Sequence, residues 1–334
     1  MLTNSVKQSV EQLDILYDGC CPLCRSYCNN VVIDRKINVA LHDARKQSEF
    51  RSAVTVQGID IDTGIVIKLN GQIYSGSEAI LNIAKRSETR GLVGFINRVF
   101  LNSAIKVKLF YPLGKMARKL WLGFLGVDEI NNLKPENTLK AQLGAQWARL
   151  HPDIQQRFDQ EPNLGEVILY EGRMLEMRRS FMGWLFAIFT KIIGNPLSSY
   201  QGNNVPMEVA LFKEPNKAGV FWKRTYFLPN KRPYVVVSSK QQSKKGEMLE
   251  CVKGGFGMKL KVYEQDGNLH FKSYRYFWSF LKLQMPIPHW LTPGETHVIH
   301  TNLGNGYFTF TINMTHPQLG ETFYQHGLFT RKQF

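Results

Sequence analysis

Cys21-Pro22-Leu23-Cys24 sets two thiols three positions apart, where an apolar run over residues 13–17 gives way to a helical pattern starting at Pro22. At a helix start both thiols can face outward, close enough to close a small disulfide loop. Free amide N–H groups and the helix dipole there favour a thiolate. The chemistry is dithiol–disulfide exchange: Cys21, at the helix start and expected to be the more exposed, attacks. Cys24, one turn in and expected to be better shielded, resolves the mixed disulfide. Pro22 fits the first turn, where a missing N–H costs nothing. The competing structural reading is a pair of small buried apolar residues.

Cys20 and Cys28 crowd the same stretch, and Cys251 stands alone. Cys21, Cys24 and Cys28 fall on one helical face and with Cys20 could hold a soft metal. A structural zinc site draws a second ligand pair from elsewhere, and His42 is the only histidine nearby, so no metal is expected. Cys28 reads as a core residue and Cys20 as a spare thiol. Asp18 could carry a proton for Cys24, or Asp18-Gly19 could be a plain turn ending the strand.

The elements that must position these residues alternate. Strands are expected at 13–17, 37–41, 65–69 and 72–74, and helices at 22–33, 45–54 and 77–85. Asn70-Gly71 is a hairpin signal, and Ser75 with Glu78 reads as a capping box. This βαβαββα order, with a dithiol after the first strand, predicts a thioredoxin-like α/β domain.

The stretch from Tyr17 to Cys24 resembles the signature of the DCC-type thiol-disulfide oxidoreductase family. Its pattern is Asp-Gly, one free position, Cys, one free position, Leu, Cys, and every fixed position is met. Asn70-Gly71, Tyr74, Glu78, Ala79 and Ile80 extend the resemblance over residues 11–125. It implies a thioredoxin-like fold and a protein-disulfide reductase activity on protein or small thiol/disulfide substrates. Asp18, Cys21 and Cys24 are the motif residues and the Cys21–Cys24 disulfide the only redox group. One departure is that no proline stands near Thr63-Gly64, where better-known thioredoxins carry a cis-proline that positions substrate.

Residues 91–126 read as a basic helical tail to this domain, 11–126 in all. Aromatics such as Phe95, Phe110, Trp121 and Phe124 interleave with Arg98, Lys106, Lys108, Lys115, Arg118 and Lys119. The pattern suits a helical pair packing its aromatics on the first domain, or a peripheral membrane-surface segment. Residues 127–138, with Pro135, read as a linker.

From 139 to 331 the pattern changes to two helices, at 139–150 and 181–193, and a succession of strands. Asp266-Gly267 and Asn305-Gly306 mark hairpins. The expected architecture is α+β, dominated by an antiparallel sheet forming a curved sheet or partial barrel with a helix. Pro206, Trp222-Lys223-Arg224, Glu250 before Gly254-Gly255, Asp266-Gly267, Pro286 with Pro288, and Tyr324 with Gly327 resemble an uncharacterised domain family also found fused to saccharopine-dehydrogenase-like proteins. That family implies no known activity. Arg224 and Glu250 alternate with apolar strand residues, so they form either an inward charged pair in a ligand cavity or an exposed ion pair. Arg173, Arg178 and Arg179 flank an apolar helix and either meet an anionic head group or stay solvated. His297 and His300, three apart on a strand, point to opposite faces.

The 334 residues suit two domains. The net charge of +15 is uneven: +1 over 1–90, +5 over 91–135 and +9 over 136–334. The first domain is neutral, and the basic excess either attracts anionic surfaces or is a solvated face. No nucleic-acid-binding pattern accompanies it. Residues 1–12 are polar, without the apolar core of a signal peptide, and no apolar run reaches about 18 residues. The expected place is the cytoplasm, peripheral to a membrane at most. The enzyme reading competes with a binding reading. In the latter, the β domain holds an apolar or anionic small ligand and the first domain senses redox state.

Overall fold

The computed structural model describes residues 11–34, 36–88, 91–133, 138–194, 196–243, 245–280 and 283–332. The chain divides into two compact units, Met1–Lys134 and Pro135–Phe334.

In the first unit β1 (Glu11–Tyr17), α1 (Pro22–Asn30), β2 (Ile37–Asp43), α2 (Glu49–Val56), β3 (Val66–Leu69), β4 (Gln72–Ser75) and α3 (Gly76–Arg86) precede α4 (Gly91–Phe100) and α5 (Ala104–Phe124). The sheet runs β2-β1-β3-β4, with β2 parallel to β1 and β3 and β4 antiparallel. This is the expected thioredoxin-like arrangement. One face buries Leu13, Ile15, Ile67, Ala79 and Ile83; the other buries Leu16, Val54, Ile61 and Val66. Neighbouring strand residues thus supply opposite faces, as a two-sided sheet requires.

Three local expectations are corrected. Helix α2 starts at Glu49 rather than 45, because Ser48 caps it by accepting from the Arg51 N–H at 3.2 Å. Ser75 makes no capping bond, so no capping box opens α3. The segment after α5 is no linker through residue 132. Asp62 accepts the N–H groups of Ile130 and Asn131 at 2.9 and 2.7 Å, and Asn132 accepts from the Ile61 N–H at 3.0 Å.

The second unit opens with α6 (Thr138–Leu143), a 3-10 turn (Gly144–Arg149) and α7 (Pro152–Asp159), the last unforeseen. Then come β5 (Val167–Arg179), α8 (Phe181–Phe189), β6 (Gly202–Phe212), β7 (Val220–Tyr226), β8 (Tyr234–Gln242), β9 (Met248–Val252), β10 (Phe256–Gln265), β11 (Asn268–Phe280), β12 (Leu283–Ile287), β13 (Glu295–Gly304), β14 (Tyr307–His316) and β15 (Gly320–Arg331). The sheet is antiparallel throughout. Both β15 with β5 and β10 with β11 are paired, so ten of the described strands close a ring, with β12 added along β11. The barrel is closed rather than partial, which removes the exposed edges an open sheet of this size would carry. Its interior is lined by inward-facing strand residues, Val205 and Met207, Phe308 and Phe310 in alternation and Met174 and Met177 across a bulge.

Candidate functional site

The first unit builds its site at the end of β1. After Tyr17 the chain turns through Asp18-Gly19, and the Cys21 N–H donates to the Asp18 carbonyl at 3.0 Å. A Cβ at position 19 would lie 2.5 Å from Asp43 Oδ2, so a larger residue there requires the Asp43 carboxylate to move. The Gly19 N–H donates to Asp43 Oδ1 at 3.1 Å. Cys21 is the N-cap of α1, and its Sγ accepts the Cys24 N–H at 3.3 Å. A side chain is therefore aimed at one of the free helix N–H groups, and here it is sulfur.

That geometry separates the thiols. A hydrogen bond from the Cys24 thiol lowers the Cys21 thiol most, burial opposes it, and the Cys24 N–H and Arg118 lower it further, to about 6. The same shared hydrogen bond, together with burial and the Cys21 charge, pushes Cys24 strongly up. Cys21 is the acidic thiol, and Cys24 keeps its proton. The expected exposures are reversed, however: Cys21 has no exposed surface, whereas Cys24 is half-buried. The Cys21 side chain is turned inward to cap the helix, toward a buried arginine.

Asp18 ends the strand in a turn and also carries a buried carboxylate held by two arginines. Burial alone would push its carboxyl up, but two arginines hold it below the ordinary carboxylate range. Arg45 Nε and Nη2 donate to Oδ1 and Oδ2 at 2.7 and 3.1 Å, Arg118 Nη2 donates to Oδ2 at 2.9 Å, and the Cys20 N–H donates to Oδ1 at 3.0 Å. Asp18 is 3% exposed. A carboxylate so paired stays ionised and fixes the arginines that face the thiols.

Sequence reading missed Arg45 and Arg118, which lie 27 and 100 positions from Asp18. In sequence Arg118 falls among the bases of the helical tail, yet it is buried on the inner face of α5 with Val107 and Leu122. The helical spacing of 107, 111, 118 and 122 was the available signal. Arg118 Nη1 also donates to the Asp62 carbonyl at 2.6 Å, and the Tyr111 hydroxyl donates to the Thr63 carbonyl at 2.5 Å. Tyr111 thus occupies the backbone of the loop that lacks the expected proline. A Cβ at Gly64, whose φ is +154°, would run into the Tyr111 hydroxyl oxygen, which favours glycine there. Cys28 lies in the core beside Leu13 and Ile83, and burial pushes its thiol up to about 12. Burial also raises Cys20.

In the barrel Arg224 and Glu250 are both buried and bonded to each other, Nη2 to Oε1 at 3.4 Å. The exposed-pair alternative is excluded. Lys240, directly opposite Glu250 on the neighbouring strand, was missed; it donates to Oε2 at 2.9 Å. Two-residue alternation from Val236 and Ser238 would have found it. All three residues line a cavity of about 730 Å³. Arg173 is exposed, Arg178 pairs with Glu176 and Glu321 on the surface, and Arg179 donates to the Ser199 carbonyl. His300 lines the cavity, whereas His297 bonds His270 at 3.0 Å.

Residues 15–124 match the family described as DCC1-like thiol-disulfide oxidoreductase, and residues 150–329 match the domain of unknown function DUF4166. No curated protein matches the chain.

Proposed function

This chain belongs to the DUF4166 family and carries a DCC1-like thiol-disulfide oxidoreductase domain; on that premise we propose that its first unit exchanges a dithiol for a disulfide through Cys21 and Cys24. The observation that carries the reading is the capping of α1 by a sulfur. Cys21 Sγ takes a backbone N–H beside a buried arginine and has its pKa lowered to about 6. At neutral pH it is largely a thiolate, the nucleophilic form.

The Cys21 thiolate attacks one sulfur of a substrate disulfide. The substrate S–S bond breaks, a Cys21 mixed disulfide forms, and the other substrate sulfur leaves as a thiolate. Cys24 then attacks Cys21 Sγ. Its proton ends on a departing thiolate, and the second substrate sulfur is released. The substrate has gained two electrons and the one proton that Cys24 carried, the remaining substrate thiolate taking its proton from water, and the protein holds a Cys21–Cys24 disulfide. A low-molecular-weight thiol or a protein dithiol must return it to the reduced form. Attack requires that Cys21 be uncovered. Helix α5, tied to the 62–64 loop by Tyr111 and Arg118, is the element whose displacement would do so. The second unit is an accessory to this chemistry.

The test is a trap. Glutathione disulfide incubated with the Cys24→Ala chain should leave a stable glutathione adduct on Cys21, read by peptide mass spectrometry. The unsubstituted chain should instead form the Cys21–Cys24 disulfide. If Cys21 stays a free thiol in both, the reading falls.

The outer face of α5 supports a peripheral contact with an anionic membrane. Ile105, Leu109, Leu113, Met116, Leu120 and Phe124 recur every three or four residues, and each is at least 52% exposed. The aromatics at 95, 121 and 124 do not pack on the domain as expected; they too are half exposed or more. Lys106, Lys108, Lys115 and Lys119 share the same helix. An exposed apolar stripe among lysines matches an anionic lipid surface. No helix of the described chain is long and apolar enough to cross a membrane.

A further inference from the structure

The thiol chemistry does not use the interior of the barrel. The lumen holds a cavity of about 730 Å³, within the range of roughly 300–1,000 Å³ typical of small-molecule sites. Its wall is mostly carbon, contributed by Tyr226, Val236, Val298, Phe310 and Ile312 among others. One end of the barrel is filled by Phe158 of α7, which stacks on Trp222 at 6.2 Å and meets His300 edge-on at 5.1 Å. Elsewhere the lining passes to Leu197, after α8, and to Leu291, between β12 and β13.

The polar groups gather near the filled end. Glu250 Oε1 accepts from Ser238 Oγ at 2.7 Å and from Arg224 Nη2 at 3.4 Å, while Oε2 accepts from Lys240 Nζ at 2.9 Å. Arg224 Nη1 donates to Ser238 Oγ at 2.9 Å. Two cations therefore share one carboxylate, leaving one positive charge in an apolar wall. Arg157, on α7, adds a further cation toward His300. Lys240 faces the Trp222 and Phe271 rings at 4.9 and 5.3 Å, which offsets its charge only partly. His300 is 4% exposed, and its Nδ1 has no hydrogen-bond partner among the described residues. Burial, reinforced by the neighbouring cations, holds this imidazole far below its ordinary range, so it is neutral. A buried unbalanced charge and a buried unpartnered nitrogen each destabilise a fold. One monoanion answers both: it balances the charge and gives His300 a hydrogen-bond partner.

We propose that the barrel binds a monoanionic amphiphile, a carboxylate carried on an apolar chain or ring system. Lys240, Arg224 and His300 take the carboxylate, and the apolar wall takes the body.

The test uses the full chain and 11-(dansylamino)undecanoic acid, a fluorescent long-chain carboxylate. Its emission should rise on binding, and dodecanoate should displace it. Methyl dodecanoate should compete at least ten-fold less well, and dodecylamine not at all. Lys240→Met should cost dodecanoate about ten-fold while leaving the ester unchanged. Should that variant fail to fold, Ile312→Trp fills the lumen without unpairing a charge and should abolish binding of the probe. No emission change in the unsubstituted chain overturns the proposal. So does equal competition by acid, ester and amine, or undiminished probe binding by Ile312→Trp. Cys21→Ser should bind the probe unchanged, which keeps this outcome separate from that of the thiol reading.

Discussion

The two units each bury a carboxylate between two cations, and they differ in what is left over. In the first unit Asp18 lies between Arg45 and Arg118, and Arg118 also approaches Asp62 at 3.8 Å. Two arginines meet two carboxylates, and the chain's own Cys21 thiolate is the next anion within reach of Arg118. That network closes on itself. In the barrel Glu250 alone faces Arg224 and Lys240, and no second carboxylate of the described residues joins them. A closed network tunes a group the protein already owns, whereas an open one leaves a charge for something the protein must acquire.

Deleting the central carboxylate separates the two cases most sharply. Asp18→Asn and Glu250→Gln each remove the carboxylate that lies between two buried cations, at a cost of about 3–5 kcal/mol. Calorimetry should show the loss in the transition of the affected unit. Dodecanoate should recover much of it for Glu250→Gln, where a cavity lets a carboxylate reach the cations, and none for Asp18→Asn. Recovery of both variants, or of neither, breaks the comparison.

The next effect is on acidity. Alkylation of Cys21 by iodoacetamide should titrate with a midpoint near 6, and Arg118→Met should move it upward, since the guanidinium favours the thiolate. The two thiols also act on stability with opposite signs. Cys21 is lowered from 9, so its contribution is complete above 9 and is lost as pH falls toward about 6. Cys24 is raised from 9, so its contribution is complete below 9 and is lost as pH rises further. The stability of the dithiol form to urea should therefore rise from about pH 6 to a maximum near 9 and fall above it. A flat profile across that range would mean the thiols do not share a proton.

Much of this was legible in the sequence, for reasons that can be named. The dithiol, the sheet order and the β-rich second unit follow from local signals: period-2 alternation, a hairpin dipeptide and a helix-start proline. The alternation around Arg224 and Glu250 also left an inward pair open as one of two readings. Arg118 was not legible as a site residue because its role depends on α5 returning across the loop at 62–64, a tertiary event 100 positions from Asp18. Barrel closure was missed for the same reason. The β5–β15 pairing joins the two ends of the domain, and no local pattern encodes it. The inward turn of Cys21 depends on side-chain packing that spacing cannot specify.

A smaller effect concerns access to the closed site. Tyr111→Phe removes one of the two bonds holding α5 to the 62–64 loop. A hydrogen bond of this kind contributes about 0.5–1.5 kcal/mol, so opening should become several-fold more frequent. Alkylation of Cys21 at fixed pH should accelerate by that factor while its midpoint stays near 6. An unchanged rate would mean that α5 does not cover the thiol.

The weakest expected effect tests whether the other face of the same helix has its own partner. The inner face of α5, with Val107, Tyr111, Arg118 and Leu122, serves the thiols, while the outer stripe of Ile105, Leu109, Leu113, Met116, Leu120 and Phe124 meets solvent. Juxtaposed lysines contribute about 1 kcal/mol each at an anionic surface, and every apolar side chain inserted adds to that. Vesicles containing phosphatidylglycerol should therefore sediment the protein, and phosphatidylcholine vesicles should do so weakly. Leu113→Asp changes an exposed position, so the fold and the Cys21 titration should hold while vesicle binding falls about ten-fold. Raising salt to 0.5 M should weaken binding further, because surface charge is screened within a few ångströms at such ionic strength. Binding indifferent to both the substitution and the lipid charge would leave the stripe without the partner assigned to it, and α5 would then serve the thiol site alone.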